Sequence, residues 1–178
     1  MEINIDTSSL EVMPFCHFVA LNVISAEDQG DILTWLEESA PWKLTKTNFY
    51  EQYEFSLLQQ DFPAPISLYC SKDFLNHLRH QVSEIFSVRL EEHVDVTAHK
   101  LLCGQTIRIH NDFIPGEETH RVLLQLNRGW SDDFGGYLML FSDGEPEDIS
   151  KIIPPLSGSV QGFAISKDSH HAVSTVHG

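Results

Sequence analysis

A run of short, β-rich segments fills the chain from Asp95 onward and restricts the folds that it can adopt. Seven or so segments with apolar-polar alternation follow one another, and Gly, Asp, Asn or Pro separates them. Strands of this length and spacing are typical of an all-β sandwich or barrel. Ahead of them, the sequence predicts two helices, one from Ser25 to about Ser39 and one from about Ser71, which would brace an outer face of the β structure.

The composition is that of a soluble, folded protein. The 178 residues suit a single domain, and 42% of them are hydrophobic. No apolar run reaches the length of a membrane span and the acidic N-terminus is unlike a signal peptide, so we expect a cytoplasmic protein without a membrane partner. A formal charge of -15 argues against nucleic acid as a partner. The widely spaced Cys16, Cys70 and Cys103 favour reduced thiols over disulfides.

His110 and Asp112 form an H-x-D pair in the segment TIRIHND. On a strand, residues i and i+2 point to the same face, so both side chains can bind one metal ion. A second histidine would complete the 2-His-1-carboxylate set of non-haem Fe(II) oxygenases, which leaves positions open for a co-substrate and O2. His170, His171 and His177 are the candidates for it. An H-x-D pair alone is weak evidence, because a surface His-Asp ion pair has the same sequence.

The order of motifs from about Asp95 to the end of the chain resembles the Fe(II)/2-oxoglutarate-dependent dioxygenase superfamily, specifically its small prolyl-4-hydroxylase-like branch. The matching residues are His110-Asn-Asp112, Leu126-Asn127, Gly135-Gly136-Tyr-Leu138-Met-Leu140-Phe141, Pro155-Leu-Ser-Gly158, Phe163 and His171-Ala-Val173. The resemblance implies a mainly β fold, a double-stranded β-helix or jelly roll, braced by the two N-terminal helices. It also implies that His171, which matches the family's H-x-V, is the third metal ligand, unless a bulge exchanges it with His170.

The same resemblance implies an activity. We expect Fe(II) bound by His110, Asp112 and His171, with 2-oxoglutarate as co-substrate, O2 as oxidant, and hydroxylation of a C–H bond as the outcome. The expected substrate is a peptidyl or free amino-acid side chain. Two alternatives remain open: a cupin-like metalloenzyme that does not use 2-oxoglutarate, and a catalytically inactive jelly-roll binding module.

The family's usual basic residue for the distal carboxylate of 2-oxoglutarate follows the second histidine, and no Arg or Lys occurs between His171 and Gly178. We therefore treat residues 1–178 as one jelly-roll domain and expect a longer native chain or another segment over the open sheet edge. Arg121 is the substitute clamp that the sequence offers, because a guanidinium binds a carboxylate bidentately. Asn127, on the same strand face, is a second co-substrate-binding candidate. A salt bridge from Arg121 to Glu117 or Glu118 is the competing interpretation.

Overall fold

The computed structural model describes residues 5–6, 9–58, 62–64 and 66–178. Its helices are α1 (Ala26–Glu38), α2 (Ile66–Tyr69) and α3 (Lys72–Phe86). Its strands are β1 (His17–Ala20), β2 (Lys43–Lys46), β3 (Glu51–Ser56), β4 (Thr97–Lys100), β5 (Ile107–His110), β6 (His120–Leu124), β7 (Leu138–Phe141), β8 (Ile149–Ile153), β9 (Val160–Ala164) and β10 (His171–Val173). The fold is mainly β, as the sequence predicts.

The strands pair in the crossed order of a jelly roll. Within the described residues they form three antiparallel sheets, ordered β5-β10-β7-β8, β1-β9-β6 and β2-β3-β4. An isolated bridge between Tyr50 and Ile107 connects the β2-β3-β4 sheet to β5. Neighbouring strands such as β5 and β10 are distant in the sequence, so the sheets bring remote segments side by side.

The two longer helices begin at serine caps. The Ser25 hydroxyl accepts a hydrogen bond from the Asp28 N–H at 3.1 Å, and the Ser71 hydroxyl accepts one from the Phe74 N–H at 3.2 Å. The last turn of α3 ends at Ser87, which has a left-handed backbone with φ of 54°. Among the described residues, no helix combines the length and the apolar character that crossing a bilayer requires.

The apolar core has two parts, which lie on the two faces of the β1-β9-β6 sheet. The part on the helix side includes Phe18, Ile32, Phe74, Ile85 and Val160. The part between the sheets includes Phe15, Leu138, Leu140, Ile153 and Phe163. Gly162 on β9 lies against the Phe18 ring, where an added Cβ would be 2.3 Å from a ring carbon. A larger residue at this position would therefore have to displace a fully buried phenylalanine.

Candidate metal centre

The pairing of β5 with β10 brings His110 and His171 together. The two residues are Cα partners across the antiparallel pair, and their ring centroids are 4.2 Å apart. On its other side His171 pairs with Leu140, so β10 lies inside the sheet and only 4% of His171 is exposed. Two histidines that are far apart in the sequence thus meet at one point.

Asp112 reaches the same point from a turn. β5 ends at His110, and Asp112 has a left-handed backbone with φ of 56°. The Asn111 amide donates to the Lys167 carbonyl at 2.9 Å, and the Ser169 hydroxyl donates to the Asn111 carbonyl at 3.2 Å. These contacts tie the turn to the connection between β9 and β10. The strand alternation that predicts a shared face for His110 and Asp112 is therefore not what orients the carboxylate.

The hydrogen bonds of the two imidazoles determine which ring nitrogen is free. Nδ1 of His110 lies 2.8 Å from the Arg108 carbonyl oxygen, and Nδ1 of His171 lies 2.8 Å from the Ser169 carbonyl oxygen. Because a carbonyl oxygen only accepts, each Nδ1 carries the proton and donates it. In the neutral tautomer each Nε2 then has a free lone pair, which is the form of histidine that binds metals.

Three ligating groups converge where these Nε2 atoms meet the Asp112 carboxylate. Oδ1 lies 3.4 Å from Nε2 of His110, Oδ2 lies 3.1 Å from Nε2 of His171, and all three groups offer atoms within 4.8 Å of one another. Neighbouring ligands on an octahedron with bonds of about 2.1 Å are about 3 Å apart. With neutral imidazoles the lone pairs repel one another, and a cation placed between them would offset the repulsion. The residues therefore fit a divalent metal, and this ligand set is that of non-haem Fe(II).

Arg121 on β6 lies beside the three ligating groups. Its Nη1 donates to Asp112 Oδ2 at 2.5 Å, and its Nη2 donates to Glu118 Oε2 at 2.6 Å. Burial by itself would raise the pKa of the Asp112 carboxyl, but its contacts with the two imidazoles and the Arg121 charge hold this pKa well below its ordinary value. Asp112 is consequently an anion at neutral pH, and the guanidinium is engaged by two carboxylates, one of which is the Glu118 partner considered from the sequence.

Asn127 lies away from these residues. It follows β6 at the end opposite to Arg121. Its side-chain amide donates to the Pro155 carbonyl at 2.5 Å, and its backbone N–H donates to the Ser157 hydroxyl at 3.1 Å. The contacts of Asn127 are thus with the turn before β9, and the structure does not bring it together with His110, Asp112 and His171.

The two other histidine candidates also lie elsewhere. The His170 ring packs next to Gly144, where an added Cβ would be 3.3 Å from its Nε2. His177 is exposed, and its backbone N–H donates to the Phe134 carbonyl at 2.8 Å. The cluster of potential metal ligands in the described residues contains His171 and neither of these two.

Aromatic rings flank both imidazoles, and sequence reasoning does not identify this role for them. The Phe49 ring centroid lies 4.5 Å from that of His110, and the Phe163 centroid lies 4.6 Å from that of His171. Phe163 belongs to the family motif, so its position near the metal-binding residues could have been predicted from the sequence. Phe49 precedes β3, and its position depends on the Tyr50–Ile107 bridge, which no local pattern predicts.

A polar wall on β3 and β4, formed by Gln52, Glu54 and His99, is another feature that the sequence analysis does not single out. The Gln52 amide donates to Glu54 Oε2 at 2.9 Å, and Glu54 Oε2 lies 4.0 Å from Nε2 of His99, its cross-strand partner. Burial lowers the pKa of His99 and the Glu54 charge opposes this, with smaller influences from Arg121 and Asp112. The wall is therefore within electrostatic reach of the metal-binding groups.

A jelly roll that carries two histidines and a carboxylate is the arrangement of non-haem iron oxygenases. Residues 96–178 match the family model of the 2OG-Fe(II) oxygenase superfamily. This part of the chain is similar to that superfamily, in agreement with the order of its motifs. The matched family uses Fe(II) as the metal and 2-oxoglutarate as co-substrate.

Two curated relatives are similar to this chain. It is 26% identical to the Prolyl 3-hydroxylase OGFOD1 of Mus musculus over 177 residues, which cover 94% of this chain and 31% of the mouse protein. It is 33% identical to the Prolyl 3-hydroxylase OGFOD1 of Xenopus laevis over 101 residues, which cover 55% of this chain and 20% of the frog protein. The chain thus spans less than a third of the length of these relatives.

Solved structures of prolyl hydroxylases share the fold. A prolyl-4-hydroxylase from Pseudomonas putida superposes with a TM-score of 0.72 at 16% identity, over 91% of this chain and 86% of that chain. A Trichoplax adhaerens prolyl hydroxylase, solved with a hypoxia inducible factor peptide fragment, gives 0.64 at 15% identity, over 90% and 78%. The viral collagen prolyl hydroxylase from Paramecium Bursaria Chlorella virus-1, solved with 2OG, gives 0.58 at 14% identity, over 90% and 88%. These likenesses identify the jelly roll.

Proposed function

We propose that the chain is a non-haem Fe(II)/2-oxoglutarate-dependent dioxygenase that hydroxylates an unactivated C–H bond. The observation that carries the proposal is the convergence of His110, Asp112 and His171, with Nδ1 of both imidazoles at a backbone carbonyl oxygen and Nε2 of both facing the Asp112 carboxylate. The superfamily match of residues 96–178 supports it independently.

The chain's own residues hold and orient the metal. His110 and His171 would bind it through Nε2, and Asp112 would bind it through a carboxylate oxygen. The Arg108 and Ser169 carbonyls fix the ring orientations by accepting from Nδ1. When bound, Fe(II) supplies the oxidative chemistry, in which O2 and 2-oxoglutarate yield succinate, CO2 and a hydroxylated substrate.

The aromatic neighbours limit the access of water to the ligands. Phe49 covers the ring of His110, and Phe163 covers the ring of His171. A water-poor site strengthens the electrostatic interactions within it and suppresses side reactions. The open side of the ligand set remains for the co-substrate and O2.

The proposed substrate is a peptidyl side chain, with proline as the first residue to test. Both curated relatives are named prolyl 3-hydroxylases, and the Trichoplax adhaerens neighbour was solved with a peptide fragment. A free amino acid is the competing substrate. Liquid chromatography–mass spectrometry of proline-containing peptides and of free proline would separate the two by a gain of one oxygen atom.

The proposal also includes the domain organisation, the excluded partners and the location in the cell that the sequence predicts. Residues 1–178 form one catalytic domain, and the formal charge of -15 disfavours contact with nucleic acid or with anionic membranes. Cys16, Cys70 and Cys103 are free thiols, which suits the reducing environment of the cytoplasm.

One observation favours an alternative, a jelly-roll metalloenzyme that does not use 2-oxoglutarate. Arg121, the clamp considered for the distal carboxylate, has both terminal nitrogens engaged by Asp112 and Glu118. Under this alternative Fe(II) binds but 2-oxoglutarate does not chelate it. An inactive binding module would show neither turnover nor a need for the metal.

The deciding experiment is an anaerobic Fe(II) titration with and without 2-oxoglutarate, followed by an aerobic assay of succinate formation. We expect a visible metal-to-ligand charge-transfer absorption only when both Fe(II) and 2-oxoglutarate are present. The Asp112→Ala variant should lose the absorption and the succinate, whereas Asp31→Ala, which removes an exposed carboxylate on α1, should retain both. Succinate formation by Asp112→Ala at the wild-type rate would refute the proposal.

A further inference from the structure

We propose, building on the metal centre of the proposed function, that Arg121 is a positioning residue for Asp112. In this view Arg121 binds one carboxylate oxygen, Oδ2, and so holds the carboxylate in the orientation that a metal ion requires. Glu118 binds the other terminal nitrogen and fixes the guanidinium in turn. This role differs from the co-substrate clamp that the sequence suggests for Arg121.

Asp112 needs such an anchor because of where it lies. It is outside the β5 hydrogen-bonding ladder, and its left-handed backbone conformation is one that residues other than glycine adopt rarely. Its described side-chain partners are the imidazoles of His110 and His171 and the guanidinium of Arg121. A metal ion would replace the contacts with the imidazoles, because both Nε2 atoms would bind the ion. Arg121 is then the described partner that remains.

Arg121 is well placed for this task. It lies within β6 and pairs with Phe163 on β9, the residue whose ring packs against His171. Its backbone is therefore fixed by the same sheet that supports the histidine ligand. The guanidinium presents several donors in a rigid plane, which allows one side chain to bind both Asp112 and Glu118.

The charge of Arg121 has an opposing effect that must be separated from its anchoring effect. A guanidinium close to a divalent cation repels it, so removal of Arg121 alone changes both the anchor and the local charge. The Glu118 carboxylate, 2.6 Å from the guanidinium, offsets that charge. Replacing both residues with neutral ones leaves the net charge unchanged and removes only the anchor.

The test measures Mn(II) affinity by isothermal titration calorimetry, without co-substrate or turnover, in the double variant Arg121→Met/Glu118→Gln. We expect Mn(II) to bind about 10–100-fold more weakly than to the wild type, which is the usual effect of losing an outer-sphere partner of a metal ligand. Arg121→Lys, which keeps one charged contact with Asp112, should recover part of the affinity. The matched control is Arg128→Gln/Glu37→Gln, which removes a surface ion pair of 2.8 Å with no net change in charge and should bind as the wild type does.

A spectroscopic readout separates loss of positioning from loss of fold. The Co(II) absorption spectrum of Arg121→Met/Glu118→Gln should approach that of Asp112→Asn, while circular dichroism of the two variants matches the wild type. Unchanged or tighter Mn(II) binding by the double variant overturns the positioning role and leaves the metal centre intact. Absence of Mn(II) binding by the wild type would overturn the proposed function and this inference together.

Discussion

His17 on β1 and His171 on β10 share the same local structure and differ in their surroundings. Both are buried, with 1% and 4% of their surface exposed, and in both Nδ1 lies 2.8 Å from the carbonyl oxygen two residues earlier. Nε2 of His171 faces the Asp112 carboxylate at 3.1 Å, whereas Nε2 of His17 has no hydrogen-bond partner and lies 3.7 Å from Glu11. Local backbone geometry therefore leaves Nε2 of both histidines away from the backbone, but of the two only His171 belongs to a cluster of three potential ligands in the described residues.

The surroundings also explain why burial controls the pKa of His17 but not the pKa of Asp112. Burial lowers the pKa of His17, and its neighbours do not reverse that effect, because Glu11 is also paired with Lys151. At the metal centre, by contrast, the two imidazoles and the Arg121 charge outweigh the burial of Asp112 and hold the pKa of its carboxyl well below the ordinary value. His17, which has one loosely placed carboxylate beside it, is thus a core residue, whereas His171, which has a carboxylate and a second imidazole beside it, is a potential ligand.

The largest effect is expected from removal of the ligand. His171→Ala should weaken Mn(II) binding by more than the roughly 100-fold that marks the upper range for an outer-sphere partner, because a directly bound nitrogen is lost. Succinate formation should fall to background. Isothermal titration calorimetry and the succinate assay measure the two effects. Wild-type affinity in His171→Ala would show that His171, like His17, is not a metal ligand.

The corresponding change at the other histidine should affect stability. His17→Ala removes a fully buried ring, so we expect the free energy of unfolding to fall by about 2–4 kcal/mol, as for other large-to-small core changes. The Mn(II) affinity of the folded variant should equal that of the wild type. Urea denaturation and calorimetry provide these values; a loss of metal binding by fully folded His17→Ala would show that the two regions are not independent.

The pH dependence of stability should show which histidines resist protonation in the folded state because they are buried. Burial lowers the pKa of His17, His99 and His120 in the folded state. The unfolded chain, with histidine pKa values of about 6.5, then takes up protons that the folded chain does not. Stability should be constant above that pH and fall as the pH drops below it, by at most about 1.4 kcal/mol per pH unit for each histidine. Urea denaturation of the metal-free protein between pH 8 and pH 5 (roughly the range in which histidine titrates) measures the slope.

His17→Ala provides the matched comparison for that slope. Its stability should fall less steeply below pH 6.5 or so than that of the wild type, because one of the proton-excluding histidines is gone. Asp112 affects stability at lower pH than the histidines do. Its pKa in the folded state is depressed, so its contribution to stability is present above about pH 4 and lost below it. An identical slope in the variant and the wild type would mean that His17 does not resist protonation.

The smallest effect is expected at the residue next to the ligand. The His170 ring lies beside Gly144 and outside the ligand cluster, so His170→Ala should leave Mn(II) affinity and succinate formation unchanged. The two assays used for His171→Ala measure this directly. A loss in His170→Ala similar to that in His171→Ala would indicate that the strand can exchange the two rings.

The sequence allows much of this arrangement to be predicted. Apolar periodicity and serine caps identify the two longer helices, and the ordered motifs around His110 and His171 identify the jelly roll. Other features depend on contacts between distant segments. The orientation of Asp112 comes from a left-handed turn, and the polar wall of Gln52, Glu54 and His99 comes from the register between β3 and β4. Neither the turn nor the register follows from a local pattern.

Arg121 illustrates the same limit for charged residues. Its position on β6 makes a carboxylate partner predictable, but several are available in the sequence. The structure pairs it with Asp112 and Glu118 at once, because the turn after β5 and the start of β6 lie side by side. Pattern alone could not distinguish a partner within the protein from the carboxylate of a co-substrate.

The most direct test of the central claim is a crystal structure grown with Mn(II), with anomalous scattering used to locate the ion. We predict one strong site within bonding distance of Nε2 of His110, Nε2 of His171 and a carboxylate oxygen of Asp112, with the other Asp112 oxygen still accepting from Arg121. An ion bound elsewhere, or an empty site at a saturating concentration of Mn(II), would contradict the account.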